Sequence, residues 1–117
     1  MKKIIIINGP NLNLLGNREQ EIYGNSSLED IKKQAQIKSS ELNLECVFCQ
    51  SNSEGELINL IQSAGLDYDG LIINPAAFTH TSVALLDALR SVNKPKIEIH
   101  LSNIYNREDY RKSSITS

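Results

Sequence analysis

GLIINPAAFTHTSVALLDALR, residues 70–90, sets a strand-like apolar run against a helix-like one and places a hydroxyl-flanked histidine at the joint. GLIIN is short and apolar and is followed by proline, as a buried strand is. VALLDALR repeats its apolar residues at three- and four-residue spacing, as a helix with one buried face does. Working outward, the same pairing recurs. KIIIIN (3–8) precedes SLEDIKKQAQIKSSEL (27–42), and LECVFCQ (44–50) precedes SEGELINLIQSA (53–64). KIEIHL (96–101) follows the third helix and leads into a short charged tail. Repeated β-α alternation predicts an α/β fold, a parallel sheet with helices on both faces.

Local signals support those boundaries. Ser27 with Asp30, and Ser53 with Glu56, have the spacing of a capping box. Gly65 reads as the stop of the second helix, and Lys94-Pro95 as the end of the third. No internal repeat or low-complexity linker divides the chain, and 117 residues suit one domain over 1–117.

Twelve basic against fourteen acidic side chains give a net charge of -2, which disfavours nucleic acid or an anionic membrane as partner and leaves room for a small anionic ligand. The start, MKKIIIINGP, is too short in apolar residues for a signal sequence, and no 18-residue apolar run occurs, so a cytoplasmic location is expected. Cys46 and Cys49 form a C-x-x-C, but on a strand residues three apart face opposite ways, so two reduced thiols are expected rather than a redox pair. A zinc site lacks a second Cys/His pair at ligand spacing.

Open parallel sheets bind ligands beyond the carboxyl ends of their strands, where strand order reverses. The conspicuous polar residues sort to that edge. Asn11, Arg18 and Tyr23 follow the first strand, Gln50 and Ser51 the second, Asn74, Thr79 and His80 the third, and His100, Ser102 and Asn103 the fourth. The long first loop, NGPNLNLLGNREQEIYGNS, holds an arginine and a tyrosine between glycines, as a lid would. Each residue also has a plainer reading. His80 could cap a helix with Thr79 and Thr81. Glu98 and His100 could lie on a solvated edge strand, with Lys96 on their face and Ile97, Ile99 and Leu101 on the other. The functional reading has Glu98 orient and protonate His100 at a strand terminus. Arg18 and Tyr23 could be solvated loop residues. Gly9-Pro10-Asn11 lacks the spacing of a nucleotide phosphate cradle.

INGPNLNLLGNRE, EIYG, QSNSEGELI, INPAAFTHTSVAL and IEIHLSNIYNREDYRKSS resemble, in order and spacing, the type II 3-dehydroquinate dehydratases. The resemblance runs from residue 3 to the end, and the motifs are specific in combination. It implies a flavodoxin-like fold with strand order 2-1-3-4 and the dehydration of 3-dehydroquinate to 3-dehydroshikimate, in the shikimate or quinate pathway. It implies no metal or organic cofactor. By matching position, Tyr23 would be the base that removes the C2 proton, and His100 the acid that protonates the departing C1 hydroxyl. Lowering a phenol by about two pKa units takes about 2.7 kcal/mol of preference for phenolate, which Arg18 could supply. Asn11 would hold the water or oxygen where enolate charge develops, and Glu98 would support His100. Substrate carboxylate and hydroxyls would fall to Asn74, His80, Leu101, Ser102 and Arg111. Asp87 lies seven residues beyond His80 on roughly the same helical face, about 10 Å along an axis. The resemblance would have it reach a neighbouring subunit's site within trimers that build a dodecamer.

The sequence departs from the family's pattern twice. Gln20 stands where proline is common, and the sequence stops at Ser117, where the family continues into a further strand and a long helix. A chain ending there is expected to leave a strand edge and apolar side chains uncovered, and to self-associate. Two other readings stay open at this point: a catalytically impaired relative that only binds ligand or partner, and a generic flavodoxin-like module for nucleotide or flavin.

Overall fold

The computed structural model describes residues 1–15, 27–80 and 82–100, with backbone alone for Thr79 and His80. Four strands form one parallel sheet in the order β2-β1-β3-β4: β1 (Lys2–Asn8), β2 (Leu44–Gln50), β3 (Gly70–Asn74) and β4 (Lys96–Glu98). Three helices connect them, α1 (Leu28–Glu41), α2 (Glu54–Asp67) and α3 (Val83–Ser91). The chain steps from β1 outward to β2, then back across β1 to β3 and on to β4. Right-handed crossovers therefore put α1 on one face of the sheet and α2 and α3 on the other. Strand order reverses between β1 and β3, where a flavodoxin-like sheet opens its crevice.

The isoleucine run supplies both faces. Ile5 and Ile7 are level with Leu71 and Ile73 of β3, and with Leu57, Ile61, Ala64, Leu85, Ala88, Leu89 and Val92 of the two helical segments they form the main core. Ile4 and Ile6 point to the opposite face, with α1 packed over β2. At the start of α1 the capping box is complete: Ser27 Oγ accepts from the Asp30 N–H and Asp30 Oδ2 from the Ser27 N–H, both at 3.1 Å. In α2 the Ser53 hydroxyl accepts from the Glu56 N–H at 3.2 Å, the forward half of the expected box.

Two sequence expectations change. Gly65 lies inside α2, which runs on to Asp67 and is closed by the Tyr68 N–H donating to Ala64 O. A β-carbon at Gly65 would lie 3.6 Å from Val92 Cγ2, an ordinary contact, so the helix simply continues past it against the end of α3. His80 does not cap α3 either. It ends a separate 3-10 turn, Ala76–His80, and the cap is Ser82, whose Oγ accepts from the Leu85 N–H at 3.0 Å. The helical phase used to relate Asp87 to His80 is thereby lost, since the two sit on different elements.

The tightest approach is at the switch point. A β-carbon on Gly9 would stand 2.5 Å from Pro75 O and 2.8 Å from its carbonyl carbon, closer than any side chain tolerates. Two glycine substitutions should therefore move stability in opposite directions in urea denaturation. Gly9→Ala is expected to cost about 1–3 kcal/mol by forcing backbone apart. Gly65→Ala is expected to gain about 0.5–1 kcal/mol from helix propensity. Equal effects would mean that the Gly9 contact yields freely.

Candidate active site

Parallel register brings the strand-end amides level. Asn8 of β1 pairs with Gln50 of β2 on one side and Asn74 of β3 on the other. Asn8 and Asn74 are each 2% exposed, and buried amides must find partners. Asn8 Nδ2 donates to Cys49 O at 2.9 Å. Asn74 Oδ1 accepts from the Ala76 N–H at 3.2 Å, turning the chain sharply after β3, and Ala76 itself sits at φ 53 in the left-handed region. Asn74 Nδ2 is fully buried without a hydrogen-bond partner among the described residues, at the β1–β3 switch point.

On the β1 side, the Gly9 N–H donates to Asn74 O at 2.8 Å, closing the two strand exits together. Asn11 follows in a left-handed conformation, φ 68, and its N–H donates to Asn52 Oδ1 at 2.9 Å. Its own side chain does not cap the turn, and the residue is exposed, so the amide is available to a ligand.

The fourth strand decides between the two readings of Glu98. Ile97 is 58% exposed, whereas Glu98 pairs with Ile73 and its side chain is only 12% exposed. The solvated-edge reading of Glu98 fails because its face of the sheet is the one that α2 and α3 cover. The ladder continues one step beyond β4, with the Ile99 N–H donating to Ile73 O at 2.8 Å. His100 Nε2 then stands 3.4 Å from Glu98 Oε2, the imidazole half-buried at the carboxyl edge. A carboxylate set behind an imidazole in this way fixes the ring's orientation, as in acid–base sites.

Of the sequence-nominated residues, Asn11, Asn74, Glu98 and His100 are thus gathered on the carboxyl edge of the sheet. His80 reaches it by its backbone. Asp87 is exposed on α3, as is Val83 one turn earlier. Arg18, Tyr23, Leu101, Ser102 and Arg111 lie outside the described residues. Sequence reasoning passed over Asn8, Asn52 and the Gly9 approach. The signal for Asn8 was its polarity at the end of four isoleucines. Asn52 gave none, because the turn it holds, through the Asn11 N–H, is 41 residues away.

Comparison with known proteins matches this arrangement. The pattern of the family described as Dehydroquinase class II covers residues 2–117. The chain belongs to that family. A 3-dehydroquinate dehydratase of Thermoanaerobacter pseudethanolicus is 51% identical over all 117 residues, which span 79% of that relative. The crystal structure of a type II dehydroquinase from Butyrivibrio crossotus superposes with a TM-score of 0.94 at 47% identity, over 98% of this chain and 81% of that one. One from Propionibacterium acnes gives 0.95 at 39% identity, over 100% and 81%. The flavodoxin-like sheet of this dehydroquinase family is the fold observed here.

A separate cavity of about 350 Å³ opens between the start of α1 and the end of β2, lined among others by Asn13, Lys32, Cys49 and Gln50. It lies on the β2 side of the switch point, away from Asn74 and His100. Burial raises the Cys49 thiol above its ordinary range, with the nearby Glu56 acting in the same sense. Cys46 and Cys49 are both free, on opposite faces of one strand and roughly 10 Å apart along it, beyond the reach of a disulfide. Native protein at pH 8 should therefore label with iodoacetamide at Cys49 at least about tenfold more slowly than the urea-unfolded chain, since thiolate is the reactive form. Rapid native labelling, or a Cys46–Cys49 disulfide under mild oxidation, would contradict this.

Proposed function

We propose that this protein is a hydro-lyase converting 3-dehydroquinate to 3-dehydroshikimate and water through an enolate. The single observation that supports it most is the Glu98–His100 pair at the carboxyl edge of the sheet that also carries the buried Asn74 Nδ2, a donor without a partner among the described residues. That is the place where a parallel sheet offers its ligand crevice. Membership of the dehydroquinase class II family over nearly the whole chain supplies the substrate.

In this reading Tyr23, as phenolate beside Arg18, takes the C2 proton, and the electron pair is held as an enolate. Asn11 steadies the oxygen or water where that charge develops. The enolate then expels the C1 hydroxyl, which takes a proton from His100 and leaves as water, and the product is a conjugated enone. Glu98 orients His100. Asn74, His80, Leu101, Ser102 and Arg111 bind the substrate's carboxylate and hydroxyls. No step calls for a metal or organic cofactor. Residues 1–117 act as one domain. Asp87, turned outward on α3 beside Val83, serves the site of an adjacent subunit in a homo-oligomer, trimers within a dodecamer. Two free thiols on one strand fit a reducing, cytoplasmic setting, where the reaction belongs to the shikimate or quinate pathway.

Ultraviolet absorbance of the enone tests the reading directly. Turnover is the expected result, and a protein stabilised by 3-dehydroquinate without forming enone would leave a binding role only. Tyr23→Phe and His100→Ala should each lower kcat by about 10²-fold or more, the scale of lost general base or acid catalysis, whereas His80→Ala should chiefly raise KM. Exchanged phenotypes would overturn the assignment of the two histidines.

Arg18→Lys keeps the charge and loses the planar fork. The basic limb of the kcat/KM profile reports a group that must stay in its required protonation state, so a change in phenolate stabilisation should shift that profile and lower activity. An unaltered profile would make Arg18 a solvent-facing residue.

A further inference from the structure

The turn that carries Asn11 closes on itself through the Leu14 N–H donating to Asn11 O at 3.0 Å, and it is also held from outside. Asn11 adopts φ 68 and ψ -2, a conformation that a residue with a β-carbon disfavours, and no side-chain cap of its own secures the Leu12–Leu14 turn that follows. The restraint comes from the exit of β2. Asn52 Oδ1 accepts from the Asn11 N–H at 2.9 Å and from Gln50 Nε2 at 3.1 Å. Gln50 Nε2 also donates to Gly9 O at 3.1 Å, with Asn13 Oδ1 at 3.5 Å. The two amides thus bracket Gly9–Asn13 at three points, from a segment 41 residues away along the chain. From the other side, Gly9 is fixed to Asn74 O.

We infer that Asn52 and Gln50 are positioning residues that fix Asn11 where it meets the developing charge, Asn52 acting only as acceptor and Gln50 only as donor. The inference rests on the proposed role of Asn11. Its physical basis is that a group stabilising a transition state must be held within a fraction of an ångström, and that a misplacement of about 1 Å can cost about 10²-fold in rate. Asn52 is exposed, so its side chain has little to do with the core, and its bonds concern this turn.

The direction of the hydrogen bonds makes the test specific. Asn52→Asp keeps an acceptor for both donors. Gln50→Glu sets a carboxylate against the carbonyl oxygens of Gly9 and Asn52 and breaks the bracket. Each variant adds one negative charge within the same few ångströms, so any general repulsion of an anionic intermediate is common to both. In the enone assay on the full chain, kcat of Asn52→Asp should exceed that of Gln50→Glu by about tenfold or more. Asn52→Ala should lose kcat with KM little changed, and Asn11→Ala combined with Asn52→Ala should be no slower than Asn11→Ala alone. Equal kcat for Asn52→Asp and Gln50→Glu would overturn the inference, as would independent, additive losses in the double variant. Unchanged kcat for Asn52→Ala beside a slow Asn11→Ala would overturn the positioning role and leave Asn11's own role standing. Unchanged kcat for Asn11→Ala would remove that role and this inference together, while the dehydratase reading is decided separately by Tyr23→Phe and His100→Ala.

Discussion

The hydrogen bond from the Gly9 N–H to Asn74 O, 2.8 Å long, joins β1 and β3 one step beyond their paired residues, and the rest of the site is arranged around it. It can form only because residue 9 has no β-carbon to strike Pro75. Above it the two chains must part, one toward Asn11 and the other toward Ala76. Both adopt left-handed backbone to do so, Asn11 at φ 68 and Ala76 at φ 53. Strained non-glycine backbone persists where surrounding contacts over-determine it, and such residues cluster at functional sites. Here the over-determination is visible: Asn74 Oδ1 holds Ala76, and Asn52 Oδ1 holds Asn11.

Burial of amides is the second consequence. Strand ends that open onto solvent need no side-chain partners, whereas Asn8 and Asn74 are almost wholly enclosed. Asn8 spends its donor on Cys49 O, tying β1 to β2. Asn74 uses its acceptor in its own turn, and its donor has no partner among the described residues. A buried, unpartnered donor costs stability and is retained where a ligand completes it. The same logic applies to Glu98, a carboxylate on the covered face of the sheet with an imidazole as neighbour.

Much of this was legible in the order of residues. Runs of alternating character gave the β-α repeats, because a strand buried on both faces must be apolar throughout and a covering helix must be apolar on one stripe. Ser27 and Ser53 marked helix starts because a side-chain oxygen there meets the otherwise unpaired N–H groups of the first turn. The polar residues expected at one edge, Asn11, Gln50, Asn74 and His100, do stand there. Parallel strands all end on the same side, so position after a strand already determines the edge.

Other features depended on contacts between distant segments, and no local pattern could reveal them. Gly65 carried the signature of a helix stop, yet the helix continues because Val92 packs against it and Tyr68 closes the next turn. The alternation in KIEIHL separated Ile97 from Glu98 and left open whether the Glu98 face is solvated; pairing with Ile73 turned that face toward the covered side. A one-residue shift of register exchanges the two faces of a strand, and its choice belongs to the neighbouring strand. The bracket of Gln50 and Asn52 around Asn11 is likewise a product of β1 and β2 lying side by side. The sequence by itself determined which segments become strands and helices and which polar residues gather at their ends, since both follow from local periodicity and direction. Only the tertiary structure decided which face Glu98 takes, which residues pair with the buried strand-end amides and which residues hold Asn11, because each depends on segments far apart in the chain lying side by side.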